Sequence, residues 1–148
     1  LRASGGIWAK VRIAATPAQI GIREGRRIHG LYTLTKDDLV QGAQFEDGVC
    51  TVRFVVDVHS LVKGEGGGYG NGGVKMKPYQ IPLRSLIAKD VSNLMMAGRC
   101  ISGDFYAHAS YRVTGNAVPM GEAAGKVAAK AALTNRLPKD VAWGEVKA

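Results

Sequence analysis

Cysteine, long apolar runs and recognised ligand-binding glycine motifs are all scarce in this chain. Its two cysteines, Cys50 and Cys100, cannot form a disulfide framework and show no metal-ligand spacing. They read as two buried small hydrophobes, and such sparing use fits a reducing, cytoplasmic compartment. His29, His59 and His108 likewise show no metal spacing, so no metal is expected. No run approaches the ~18 apolar residues of a membrane span. Even 127–133 is flanked and interrupted by Lys126 and Lys130, so no membrane partner is expected. The chain opens at Leu1 with no secretory signal, which leaves a processed, trimmed or internal start open. No segment repeats.

Glycine itself is abundant, but its densest run has the wrong context. Residues 64–73 hold seven glycines with Tyr69 and Asn71. No Lys-Ser/Thr pair follows them, as a phosphate-cradling P-loop requires. With too little apolar surface to pack, the run is expected to be a mobile loop.

What is present is ordinary for a globular domain. Hydrophobic residues make up 46% and charged residues 22% of 148, enough to build a core and not a disordered composition. The formal charge of +8 admits a nucleic acid, an anionic small molecule or an acidic partner. The basic residues are spread along the chain, and only Arg23, Arg26 and Arg27 cluster. No nucleic-acid motif accompanies them, so no nucleic acid is expected.

The alternation in 7–14 predicts a strand, and 27–33 predicts another. Thr35 reads as an N-cap, with Asp37 and Asp38 placed for the helix dipole. The helix it opens should run from 36 to about 42 and stop near Gly42. Glu46-Asp47-Gly48 is a turn signal. The β-branched run 49–58 is the strongest strand pattern. Residues 78–82 read as extended, 86–88 as a short strand or turn, and 93–97 as a buried strand. A long helix is predicted over 117–134, ended by Asn135 and Pro138. Pro119 fits that helix only in its first turn, which would put free amides at Asn116, Ala117 and Val118.

The long helix has an unusual stripe. Ala117, Gly121, Ala124, Gly125, Ala128 and Ala132 recur at helical spacing and make a flat face of small side chains. Each glycine costs about 1 kcal/mol of propensity against alanine, so close packing of a backbone or ligand on this face is expected. Just upstream, Asn93 to Gly103 reads as a strand, a glycine turn and a crossing toward that helix. A helix start with unpaired N–H groups suits an anionic ligand.

Four segments in this order resemble the C-terminal part of the FAD-dependent oxidoreductase family. In that group a flavin domain of the two-dinucleotide-binding type is interrupted by a substrate domain. The first segment is Gly21-Ile22-Arg23-Glu24-Gly25-Arg26-Arg27-Ile28, with Gly30, Tyr32, Leu34, Thr35 and Asp38. The second is Pro78-Tyr79-Gln80-Ile81-Pro82-Leu83-Arg84-Ser85-Leu86-Ile87. The third runs from Asn93 through Gly98-Arg99-Cys100-Ile101-Ser102 to Ala107-His108-Ala109-Ser110-Tyr111-Arg112-Val113. The fourth is Met120-Gly121-Glu122-Ala123-Ala124-Gly125. The strand, G-x-G-x-x-G turn and helix that hold the ADP half of FAD in such proteins are not matched: the only dense glycine run lies mid-chain and opens no helix.

The resemblance implies an α+β chain: a C-terminal fragment with residues 1–85 in a mainly β substrate or cap lobe and 86–148 completing a FAD-binding domain. It implies FAD as cofactor, a small-molecule substrate, and a missing dinucleotide-binding segment or self-association as partner. Gly98 would let the backbone approach the cofactor, and Arg99 would contact the ribityl chain or a phosphate. Asn116, Ala117 and Val118 would meet the N1/C2=O edge, beside Gly121, where the helix dipole stabilises the charge of reduced flavin. His108 is either a structural histidine or faces the flavin or an anionic substrate. Arg112 either does the same or pairs with Glu122 or another carboxylate. Arg23, Arg26, Arg27 and Arg84 line a substrate site or are solvated and paired; His29 and His59 read as structural or exposed. A non-catalytic subunit that needs a partner chain, and a basic nucleic-acid-binding module, are the competing readings.

Overall fold

The computed structural model describes residues 2–19, 21–59 and 70–147. Five regular elements appear in the order α1 (Lys36–Gln41), β1 (Gly48–Val52), β2 (Tyr79–Pro82), α2 (Phe105–Tyr111) and α3 (Thr114–Leu133). With one two-stranded antiparallel sheet beside three helices, the chain is α+β. None of its helices is long and apolar enough to cross a membrane, among the described residues.

Local chemistry sets several of these boundaries. Thr35 and Asp38 cap each other reciprocally at the start of α1, and Gly42 closes the helix in the left-handed region at φ 73°. The Gly48 N–H donates to Phe45 O to make the expected turn. Strand β1 pairs with β2 in a register that ends at Val52 opposite Tyr79. The next partner would be Pro78, which has no N–H to offer, so the predicted strand 49–58 is cut to its first half. Val58 then bridges Gly70. Of the predicted loop over 64–73, residues 64–69 lie outside the described residues; Gly72 and Gly73 turn with positive φ.

Three strand expectations need correction. Residues 7–14 form no strand: Gly5 and Gly6 adopt positive φ and start a 3-10 turn over Gly6–Trp8. Their alternation finds no sheet edge, and Ile7 and Ile13 stay 84% and 82% exposed. Residues 27–33 are extended but lace between two neighbours instead of pairing with one. Ile28 N–H donates to Cys100 O, Leu31 N–H to Ile87 O, and Tyr32 N–H to Arg84 O. Gly30 bridges Ala88 here, at a point where an added Cβ would lie 2.6 Å from Ser102 Cβ. The predicted strand 93–97 is a single bridge, Met95 to Ile87, and its side chains are half-buried at best.

Helix α3 begins three residues earlier than predicted, which places Pro119 inside it. Only one intrahelical bond is forfeited there, the one Pro119 would have made to Gly115 O. At the other end Asn135 adopts φ 51°, with Asn135 N–H donating to Ala132 O and Arg136 N–H to Ala131 O. This is the paired C-terminal cap that ends a helix in a left-handed residue.

The buried face of α3 is Met120, Ala123, Val127 and Ala131. The small-residue stripe is covered only in part: Ala124 packs on the larger core and Ala117 adjoins Gly98, but nothing among the described residues comes within 4 Å of a Cβ placed on Gly121 or Gly125. The expected close packing is therefore not made at these two glycines by the described residues. The larger core cluster joins Leu34, Val52, Tyr79, Ile101, Tyr111 and Met120, so it draws on both sides of residue 85. A smaller one joins Leu83, Ile87, Val127, Ala131 and Val141. Cys50 is half-buried and Cys100 exposed, so the expectation of two buried cysteines holds for neither in full. Cys100 ends a 3-10 turn whose backbone, not its thiol, faces inward to Ile28.

Candidate functional site

Gly98 is buried and adopts φ 77°, a conformation that side chains other than glycine rarely take. It opens the 3-10 turn Gly98–Cys100 and sets that turn against the first turns of α3. A Cβ added at Gly98 would touch Ala117 Cβ at 3.6 Å, and nothing else among the described residues lies within 4 Å of it. The two elements that the sequence singled out thus adjoin, with no large side chain wedged between them.

The start of α3 differs from those of its neighbours. Asp104 caps α2 by accepting from Ala107 N–H at 2.8 Å. Val113, the residue before α3, offers no side-chain cap among the described residues. Asn116 and Ala117 N–H both donate to Val113 O, so the amides expected to be free at those residues are engaged. The leading amides are those of Thr114 and Gly115, the first two of the helix. The Asn116 side chain donates to Tyr111 O at 3.4 Å and ties α3 to the end of α2. Arg99, Val118 and Gly121 are exposed beside this junction.

Helix α2 carries His108 and caps itself with Arg112, one turn apart on the same face. His108 is fully buried, its ring edge-on to Tyr111 at 5.5 Å. Tyr111 donates to Ile101 O at 3.0 Å and occupies the space over Gly103, where a Cβ would meet its ring at 2.7 Å. Neither ring nitrogen of His108 has a hydrogen-bond partner among the described residues. Burial first, then the charges of Arg27 and Arg112, push its pKa from 6.5 down to about 4, while Glu24 and the nearby Arg99 backbone pull it the other way. The imidazole is therefore neutral near pH 7.

Arg112 is held at two points. Its Nη2 donates to Asp57 O at 2.8 Å, and its Nη1 lies 3.2 Å from Glu24 Oε2. The other Glu24 oxygen is 4.0 Å from His108 Nδ1. The carboxylate partner of Arg112 is thus Glu24; Glu122 pairs along its own helix with Lys126.

Of the other candidate arginines, Arg27 sits close enough to depress the His108 pKa. Arg23 hydrogen-bonds His59, which also holds Asp57. Arg26 and Arg27 border a shallow cavity of about 330 Å³ with Ser102 and Gly103. Arg84 is tied to Asp47 by three hydrogen bonds and belongs to a different surface, beside Trp143 and Lys139. Sequence reading missed Glu24 as a site residue. Its signal was there: it is the one carboxylate inside the basic cluster Arg23 to Arg27.

A flavin fits what is present. Gly98 carries no side chain of its own and meets only Ala117 Cβ, the adjoining helix start is uncapped, and the buried His108 has unused polar atoms nearby. No group of residues suited to a metal ion occurs among the described residues. Comparisons with known proteins supply one match: the family model described as FAD dependent oxidoreductase covers residues 3–148. No curated protein and no solved structure matches the chain. The match spans nearly the whole sequence: this chain belongs to the FAD dependent oxidoreductase family, whose cofactor is FAD.

Proposed function

We propose that this chain contributes the isoalloxazine and ribityl side of the FAD site of a flavin-dependent oxidoreductase. The observation that carries this reading is the positive-φ Gly98 turn packed on the uncapped start of α3. Gly98 would bring backbone against the cofactor, and the exposed Arg99 would pair with the ribityl chain or a phosphate. The α3 start, from the leading amides through Asn116, Ala117 and Val118 to Gly121, would hold the electron-rich edge of the ring, where a positive dipole end is favourable. When bound, FAD supplies the electron or hydride transfer itself. His108 and Arg112 face the reacting side. His108 is a neutral donor and acceptor in a dry setting, and Arg112 is a fixed cation. In this reading residues 86–148 belong to the flavin domain and 1–85 to the substrate lobe.

A second reading is that the chain works only with a partner segment or a second copy. It is favoured by apolar residues left in water, Ile7, Ile13, Ile22 and Leu133, and by the open positions Gly121 and Gly125 on α3.

Competition separates the two. A site for the ring and ribityl chain should bind FMN as well as FAD, and ADP should displace neither. Flavin fluorescence titrations of the full chain check this. Displacement by ADP but not by FMN would contradict the assignment. Binding of neither flavin would contradict it as well and support the second reading.

A further inference from the structure

The Glu24–Arg112–His108 contact is lopsided. Arg112 and His108 belong to a buried helix end, with side chains 5% and 0% exposed, whereas the Glu24 side chain is 49% exposed on a segment without regular structure. Its fit is also incomplete. One carboxylate oxygen reaches Arg112 at 3.2 Å, but the other stops 4.0 Å from His108 Nδ1, beyond hydrogen-bond reach. A neutral imidazole has one N–H to donate and one nitrogen to accept, and here both nitrogens are buried and unused. Arg27 adds a second positive charge near His108.

Resting on the flavin reading above, we propose that Arg112 and His108 anchor a carboxylate of the substrate, and that Glu24 is the internal carboxylate which the substrate displaces. The exchange is like for like. An incoming carboxylate keeps the buried Arg112 charge-paired throughout, while a neutral ligand would leave it only its bond to Asp57 O and no counter-charge, which is unfavourable. A carboxylate that is not tethered to the 21–27 segment can approach Arg112 and His108 together, one oxygen to each. Charge-assisted bonds of this kind are the stronger ones, and Arg27 adds attraction. Glu24 then sets a threshold: weak anions do not displace it, and a well-shaped carboxylate does.

Acetate is the simplest probe. The full chain is titrated with sodium acetate at constant ionic strength and pH 7.5, with chloride as control, while the His108 ring resonances are followed by NMR. Glu24→Gln removes the competing charge and keeps a polar side chain of the same size beside Arg112. It should bind acetate about tenfold or more tightly than wild type, with the His108 signals moving in step. Adding Arg112→Lys should weaken that gain, because a point charge replaces the fork. Unchanged acetate affinity in Glu24→Gln, or a response that leaves His108 still, overturns the proposal. FAD titration of the same samples keeps the two readings apart. Flavin binding with no acetate effect removes the anchor alone. Acetate binding at His108 without flavin binding supports the anchor and contradicts the flavin assignment.

Discussion

Helices α2 and α3 adjoin at Arg112 and Val113, yet they are buried in opposite ways. Five of the seven residues of α2 are buried, and they include His108, Ser110 and Tyr111. Helix α3 has twenty residues and buries only Met120, Ala123, Val127 and Ala131. The polar interior of α2 is mostly satisfied: Ser110 Oγ donates to Phe54 O at 2.6 Å and receives Tyr79 Oη, and Tyr111 donates to Ile101 O. His108 is the exception, with no hydrogen-bond partner among the described residues. In α3 the unused feature is the backbone at the start of the helix and the open stripe along its side. Chemistry-bearing side chains thus gather on the short buried helix, and the long helix contributes its end and its small-residue face. Burial, more than length or regularity, decides which helix holds the enclosed polar side chains.

The largest expected effect that sharpens this contrast is a pH dependence from α2. His108 has its folded pKa lowered to about 4 from 6.5, with Arg27 and Arg112 adding to burial and Glu24 opposing them. Below pH 6.5 the unfolded chain takes up a proton that the folded chain refuses. The contribution is therefore complete above about pH 6.5 and is lost as pH falls through 4, on the order of 3 kcal/mol in all. Denaturant unfolding at several pH values should show stability rising from pH 4 to 6.5, and His108→Gln should flatten that rise. Equal slopes in the two proteins would mean that the imidazole is not held neutral by burial.

On α3 the expected effect is smaller and opposite in sign. Gly125 lies in the helix interior with open space where a Cβ would go. Gly125→Ala should stabilise by up to about 1 kcal/mol through helix propensity, seen as a higher thermal midpoint. Destabilisation would show that the stripe is in close contact with something in solution, most simply a second copy, and would erase the contrast between the two helices.

The sequence is most readable where structure is set by near neighbours. Thr35, Asp38 and Gly42 define α1 within eight positions of each other, and Asn135 ends α3 by its own backbone geometry. The strand patterns at 7–14 and 27–33 fail for a shared reason. Alternation states that a segment can pair, but the partner is a distant edge that local sequence does not specify. Pro119 misplaces the start of α3 because one lost hydrogen bond near a helix end is tolerable and the first turn was not required. The small-residue stripe misleads in another way: spacing predicts a flat face, and nothing in the spacing says whether it is covered.

For the site, the nearness of Gly98 to Ala117 and of His108 to Arg112 follows from local spacing and order. Glu24 reaches them from the far end of the chain. Only packing shows that it, and not Glu122, neutralises Arg112.

One variant bears on the role proposed for Gly98. Asn tolerates positive φ better than other side chains do, so Gly98→Asn should keep the fold while placing a side chain on the backbone assigned to the flavin. FAD affinity, measured by flavin fluorescence on the folded variant and on wild type, should fall by about tenfold or more in the variant. An unchanged affinity would contradict the assignment of the cofactor to this turn.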